Sequence, residues 1–123
     1  MKALQILVID DEDDIRKLTQ TCLEIMGGWE VVTACSGSEG LAKAEAEQPD
    51  AILLDIMMPD MDGLTTFQKL QANPATRHIP VILLTAKGRS ADQHLFAELG
   101  VTGVINKPFN PLKLADQVAE ALG

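Results

Sequence analysis

Apolar runs of strand length and apolar stripes of helical period alternate along this chain five times. Residues 4–9 form a run broken only by Gln5, which delivers Asp10, Asp11 and Glu12. A helix follows, with Asp13 and Asp14 in a first turn where negative charge opposes the helix dipole favourably. Ile15, Leu18, Cys22, Ile25 and Met26 supply its expected apolar face, and Gly27 and Gly28 close it. Residues 29–35 read as a second strand. Ser36 with Glu39 is a capping box for a helix to about residue 47, weakened somewhat by Gly40.

Residues 51–54 are continuously apolar and run into Asp55, after which Pro59, Asp60 and Gly63 mark a loop and Asp62 is placed to cap the next helix. That helix, residues 63–71, carries Leu64, Phe67 and Leu70 on one face. Pro74 and Pro80 bracket a loop, and residues 81–84 are another unbroken apolar strand delivering Thr85, Ala86 and Lys87. Ser90 with Gln93 opens a helix ending at Gly100. Residues 103–106 are a short last strand delivering Lys107, and Asn110 with Pro111 starts a last helix whose buried edge is Leu114, Val118 and Leu122.

Strict alternation with short connections implies one α/β domain over residues 1–123: a parallel sheet doubly wound with five helices. Strands 1, 3 and 4 are the most continuously apolar and should be central, with strands 2 and 5 at the edges. The order 2-1-3-4-5 satisfies this with right-handed crossovers, a flavodoxin-like arrangement. Ligands of such sheets bind beyond the strand carboxyl ends. Asp10, Asp11, Asp55, Thr85 and Lys107 all fall at those ends, so residues distant in sequence should converge on one rim.

Composition narrows the options. A chain of 123 residues suffices for one core without staples, and 46% hydrophobic with 23% charged residues is ordinary for a globular protein. With three Phe and one Trp, that core must be mostly aliphatic. A net charge of −8 without a Lys/Arg stripe argues against direct nucleic-acid binding. Cys22 and Cys35 lack metal-ligand spacing and are expected to be small buried hydrophobes. No apolar run spans a membrane and the N-terminus turns acidic too early for a signal peptide, so the expected location is the cytoplasm.

Two carboxylates 4 Å apart repel by about 1 kcal/mol in water and about 4 kcal/mol at an effective dielectric of 20. Three at one rim therefore need compensation, of which Lys107 offers one charge and a divalent cation two more. Mg²⁺ takes oxygen ligands and bridges carboxylates to phosphate oxygens. With the Thr85 hydroxyl as a donor, the set matches what phosphoryl transfer needs, since its catalysis is mainly positioning and charge stabilisation. Taken singly, Asp10 and Asp11 could simply begin a helix, Thr85 end a strand and Lys107 be a solvated lysine; their joint placement is what carries weight. Met57, Met58 and Met61 read as packing and loop residues, Asp60 and Asp62 as turn and cap residues, and His78 and His94 as surface residues.

The D-D-E after strand 1, L-L-D-I-M-M-P-D-M-D-G, L-T-A-K and N-K-P-F, in this order, resemble the receiver domain of bacterial two-component response regulators over essentially the whole chain. The resemblance implies that Asp55 is the phosphoacceptor, and that Asp10, Asp11, Asp55 and the backbone carbonyl of Met57 hold Mg²⁺. Thr85 would be the switch hydroxyl, Lys107 would pair with a phosphoryl oxygen, and a cis peptide would precede Pro108. The chain would catalyse only its own phosphorylation and dephosphorylation. Its donor would be a sensor histidine kinase or a histidine phosphotransfer protein. A downstream protein would read the surface of the helix starting at Ser90, the fifth strand and the last helix, and a phosphorylation-dependent homodimer is a further expectation. Met57 and Lys87 would flank the path of the hydrolytic water, and Val104 stands where receivers commonly carry a switching aromatic. With the chain ending at Gly123, a stand-alone receiver is expected, the alternative being a piece of a larger regulator.

Three other protein classes place different demands on the same residues. A haloacid dehalogenase-type phosphatase would place its Asp nucleophile on strand 1 in a D-x-D pattern, whereas here strand 1 gives D-D-E. A flavin binder would need a Ser/Thr/Gly-rich loop there, and this loop is acidic. A degenerate receiver used only for docking would not need the full polar set.

Overall fold

Burial sets the order of the strands. In the computed structural model, which describes residues 4–56, 63–86, 100–107 and 109–123, five parallel strands form one sheet. They are β1 (Gln5–Ile9), β2 (Glu30–Ala34), β3 (Ala51–Asp55), β4 (Val81–Ala86) and β5 (Gly103–Lys107), in the order 2-1-3-4-5. Every residue of β3 is buried, whereas edge strand β2 begins exposed and is only half-buried until Ala34. The apolar runs thus took the central positions expected of them.

Side chains alternate between the two faces of the sheet. Ile52 and Leu54 of β3 join Leu7, Ile9, Val81 and Leu83 in one core cluster, which also holds Ala44, Phe67 and Leu70. Those three belong to α2 (Gly37–Glu47) and α3 (Gly63–Ala72). Ala51 and Leu53 join Ile6, Val8, Ile82, Leu84 and Ile105 in the other cluster. There Cys22 and Leu23 of α1 (Asp13–Gly27) and Leu114, Ala115 and Val118 of α4 (Leu114–Leu122) pack against the sheet. Four helices occur among the described residues. The helix expected to begin at Ser90, residues 57–62 and Pro108 lie outside them.

The face of α1 differs from expectation. Thr19, Cys22 and Leu23 are buried, while Leu18, Ile25 and Met26 are exposed, Ile25 by 74%. Thr19 tolerates burial because its hydroxyl donates to the Ile15 carbonyl at 2.7 Å, so a polar residue occupies the centre of the stripe. Gly28 ends the helix at φ 68°, where its N–H donates to the Glu24 carbonyl.

The α2 cap forms as expected in part. Ser36 Oγ accepts the Glu39 N–H at 3.1 Å, but the Glu39 carboxylate reaches one residue further back, accepting the Cys35 N–H at 2.7 Å. Cys35 is consequently part of an exposed corner, not a buried hydrophobe, whereas Cys22 is buried and its thiol pKa is raised by burial. Asn110 caps a turn instead of the helix itself: its side chain accepts the Leu112 N–H at 3.0 Å, and α4 starts only at Leu114.

Candidate functional site

The carboxyl ends of β1, β3, β4 and β5 bring together the residues that the sequence placed there. Asp10 follows β1 and is wholly buried; Asp55 ends β3 and is 1% exposed; Thr85 of β4 is wholly buried. Lys107 ends β5, paired in register with Ala86. Its Nζ lies 3.0 Å from Asp10 Oδ2 and 3.4 Å from Asp55 Oδ2. Met57, whose backbone carbonyl was expected in the set, and Lys87 are outside the described residues.

Asp10 is held on four sides. Its N–H donates to the Ala34 carbonyl at 3.1 Å, and Oδ1 accepts the Glu12 N–H at 3.0 Å. Its carbonyl oxygen accepts Arg16 Nη1 at 2.9 Å, and Oδ2 accepts Lys107. Burial alone would lower the Lys107 pKa, but the hydrogen bond from Lys107 to Asp10 and the charges of Asp10 and Asp55 together outweigh it. The net shift is upward, so the ammonium stays charged.

Among the described residues, Lys107 pairs with two of three clustered carboxylates. Oxygens of Asp10, Asp11 and Asp55 all lie within 4.8 Å of one another. Mg²⁺ holds oxygens at about 2.0–2.1 Å, which places opposite ligands about 4 Å apart and leaves room for retained water. Asp11 Oδ1 is buried without a hydrogen-bond partner among the described residues, as is Thr85 Oγ1. The donor set is all oxygen, and a buried carboxylate oxygen awaits a partner, so the residues fit a hard divalent cation.

Two contributors escaped the sequence reading. Gly63 starts α3 as expected, but its close approach to the end of β3 is new: a Cβ there would stand 2.3 Å from Ile56 Cα and 2.6 Å from the Asp55 carbonyl. Arg16 reads in the sequence as an ordinary helix cation. Its spacing of three from Asp13, with which it forms an ion pair, was the available signal.

An open parallel sheet with an acidic, lysine-clamped rim at its switch point places this chain among the doubly wound α/β domains that bind their ligands beyond the strand carboxyl ends. The profile of the response regulator receiver domain matches residues 6–119, and the chain belongs to that family. It is 41% identical over 118 residues to the alkaline phosphatase synthesis transcriptional regulatory protein PhoP of Bacillus subtilis, covering 96% of this chain and 48% of that protein. The chain thus spans about half the length of the first curated relatives it matches. The structure of the chemotaxis protein CheY4 of Vibrio cholerae superposes with a TM-score of 0.87 at 30% identity, over 97% of this chain and 98% of that one. The N-terminal domain of a response regulator receiver protein from Methanoculleus marisnigri gives 0.78 at 39% identity, over 97% and 93%. No described helix is long and apolar enough to cross a membrane.

Proposed function

We propose that residues 1–123 act as one receiver domain whose Asp55 accepts a phosphoryl group from a phosphohistidine, on a sensor histidine kinase or a histidine phosphotransfer protein in the cytoplasm. The observation that supports this most is the clamp: Lys107 lies within 3.4 Å of both Asp10 and Asp55, beside an oxygen of Asp11 that has no protein partner among the described residues. Asp55 attacks phosphorus through a carboxylate oxygen, forming a P–O bond as the P–N bond to the donor imidazole breaks. The imidazole leaves with the electron pair and is protonated by solvent. Mg²⁺, held by Asp10, Asp11, Asp55 and the Met57 carbonyl, would neutralise charge on the transferred group.

Lys107 then takes a phosphoryl oxygen, which makes it let go of the carboxylates it now bridges. Thr85 Oγ1 gains the acceptor that it lacks among the described protein groups. Moving that hydroxyl shifts the chain after β4 and alters the surface around β5 and α4, where a downstream protein or a second copy would dock. Val104 is half-buried beside Leu83 on β5, so Thr85 and Lys107 carry the switch more than residue 104 does. The domain is a signalling element that catalyses only its own phosphorylation and dephosphorylation.

Acetyl phosphate with Mg²⁺ tests this directly. It should label Asp55 with a product stable to acid and labile to base or hydroxylamine. Stoichiometric, persistent labelling of Asp55→Asn at another residue would overturn the assignment.

A further inference from the structure

Five consecutive acidic residues, Asp10 to Asp14, run from the end of β1 into the first turn of α1, and besides Lys107 on the Asp10 carboxylate, Arg16 is packed against them. The guanidinium is largely buried, with 16% of the side chain exposed. One branch donates to the Asp10 carbonyl oxygen at 2.9 Å and the other pairs with the Asp13 carboxylate. The bond to the Asp10 carbonyl falls on the peptide that joins Asp10 to Asp11. Fixing that carbonyl fixes the plane of the peptide, and with it the point from which the Asp11 side chain departs.

We infer that Arg16 is a positioning residue for the divalent-cation site: through the Asp10 carbonyl it sets the peptide from which Asp11 presents its carboxylate. The inference rests on the metal-site reading above. It makes a prediction opposite in sign to simple electrostatics. Removing a cation beside five acids should, by charge alone, tighten Mg²⁺ binding. If Arg16 positions Asp11, its removal should weaken binding, because second partners of metal ligands are worth about 10-fold or more in affinity.

The test is a Mg²⁺ titration followed by backbone amide shifts, with the metal alone as probe and at a temperature where each variant is shown by its melt to be folded. Arg16→Gln should raise the Mg²⁺ Kd by about 10-fold. Arg16→Lys keeps the charge but loses the planar fork, and should raise it by about 3-fold. Lys17→Gln removes a cation from an exposed position of the same helix and should leave the Kd unchanged or lower it. Asp11→Asn serves as the reference for the site. If Asp11→Asn loses Mg²⁺ while both Arg16 variants bind it as tightly as wild type or tighter, the role of Arg16 is overturned and the metal site stands. If wild type fails to bind Mg²⁺, or Asp11→Asn binds it equally well, both fall. Should Arg16→Gln not fold, Arg16→Lys decides alone, and unchanged affinity in it overturns the inference.

Discussion

Lys107 and Asp10 stand 97 positions apart in the sequence and meet at 3.0 Å, with the carboxylate of the pair wholly excluded from solvent. Removing one partner of a buried ion pair leaves a charge without compensation and typically costs about 3–5 kcal/mol. Lys107→Met should therefore lower the unfolding free energy by about 3 kcal/mol. Adding Asp10→Asn to the same chain should return more than half of that loss. Urea denaturation of the two single variants and the double variant reads the coupling, and additive effects would show that the pair contributes no specific stability.

The Thr85 hydroxyl is buried with no hydrogen-bond partner among the described residues. Such a group carries a desolvation penalty of about 1–3 kcal/mol. Thr85→Val has nearly the same shape and should stabilise the protein by about 1 kcal/mol. It should still be labelled on Asp55, but beryllofluoride should no longer shift the amides of residues 85 and 86. A loss of stability would mean that the hydroxyl is satisfied in solution.

Two glycines should respond differently to the same added methyl group. At Gly63 a Cβ would strike the backbone of Ile56 and the Asp55 carbonyl, so Gly63→Ala should cost about 1–3 kcal/mol and depress labelling of Asp55. At Gly28 nothing lies within 4 Å, and only the positive φ of 68° is penalised. Gly28→Ala should cost about 1 kcal/mol and leave the labelling rate unchanged. Melting temperatures together with acetyl phosphate labelling separate the two cases.

The α2 cap predicts a pH dependence. The hydrogen bond from the Cys35 N–H lowers the Glu39 carboxyl pKa below its usual 4.5. A depressed folded-state value means that the stabilisation is complete above the unfolded pKa and is lost as pH falls through the lower folded value. Glu39→Gln should therefore be less stable than wild type at neutral pH, with the gap closing on the acid side of 4.5. Ser36→Ala, which removes the uncharged half of the cap, should cost about 1 kcal/mol at any pH in that range.

On the proposed function, Met57 and Lys87 should bear on the lifetime of the phosphorylated form. A thioether orients water poorly, and a charged ammonium has no basic lone pair. Substituting Asn at 57 and Glu at 87 together should speed loss of the label from Asp55, measured after the donor is removed. An unchanged rate would exclude these positions from control of hydrolysis.

Strand order and rim were legible because they depend on patterns that tertiary packing has little freedom to overrule. Four central apolar residues followed by Asp55 leave few other places for that carboxylate. The face of α1 was not legible, because Thr19 buries its hydroxyl by bonding to its own helix while Leu18, Ile25 and Met26 are left facing outward. Cys35 was misplaced because burial propensity ignores its neighbour Glu39, which recruits its backbone to an exposed cap. Arg16 and Gly63 meet the rim through backbone atoms, a carbonyl in one case and a close approach in the other, and the spacing of Arg16 from Asp13 signals only their ion pair.

The lone tryptophan, Trp29, precedes β2 and packs under the amino-terminal ends of the strands, so close to Gly27 that a Cβ there would lie 2.8 Å from its ring. It sits across the full length of the sheet from the acidic rim. Its emission should follow cooperative unfolding yet stay nearly constant when Mg²⁺ is added at fixed temperature. The same indole then reports the metal indirectly and without local perturbation: ligand binding to the folded state raises the midpoint of a fluorescence melt by mass action. This chain therefore carries a built-in spectroscopic probe for binding at its opposite end.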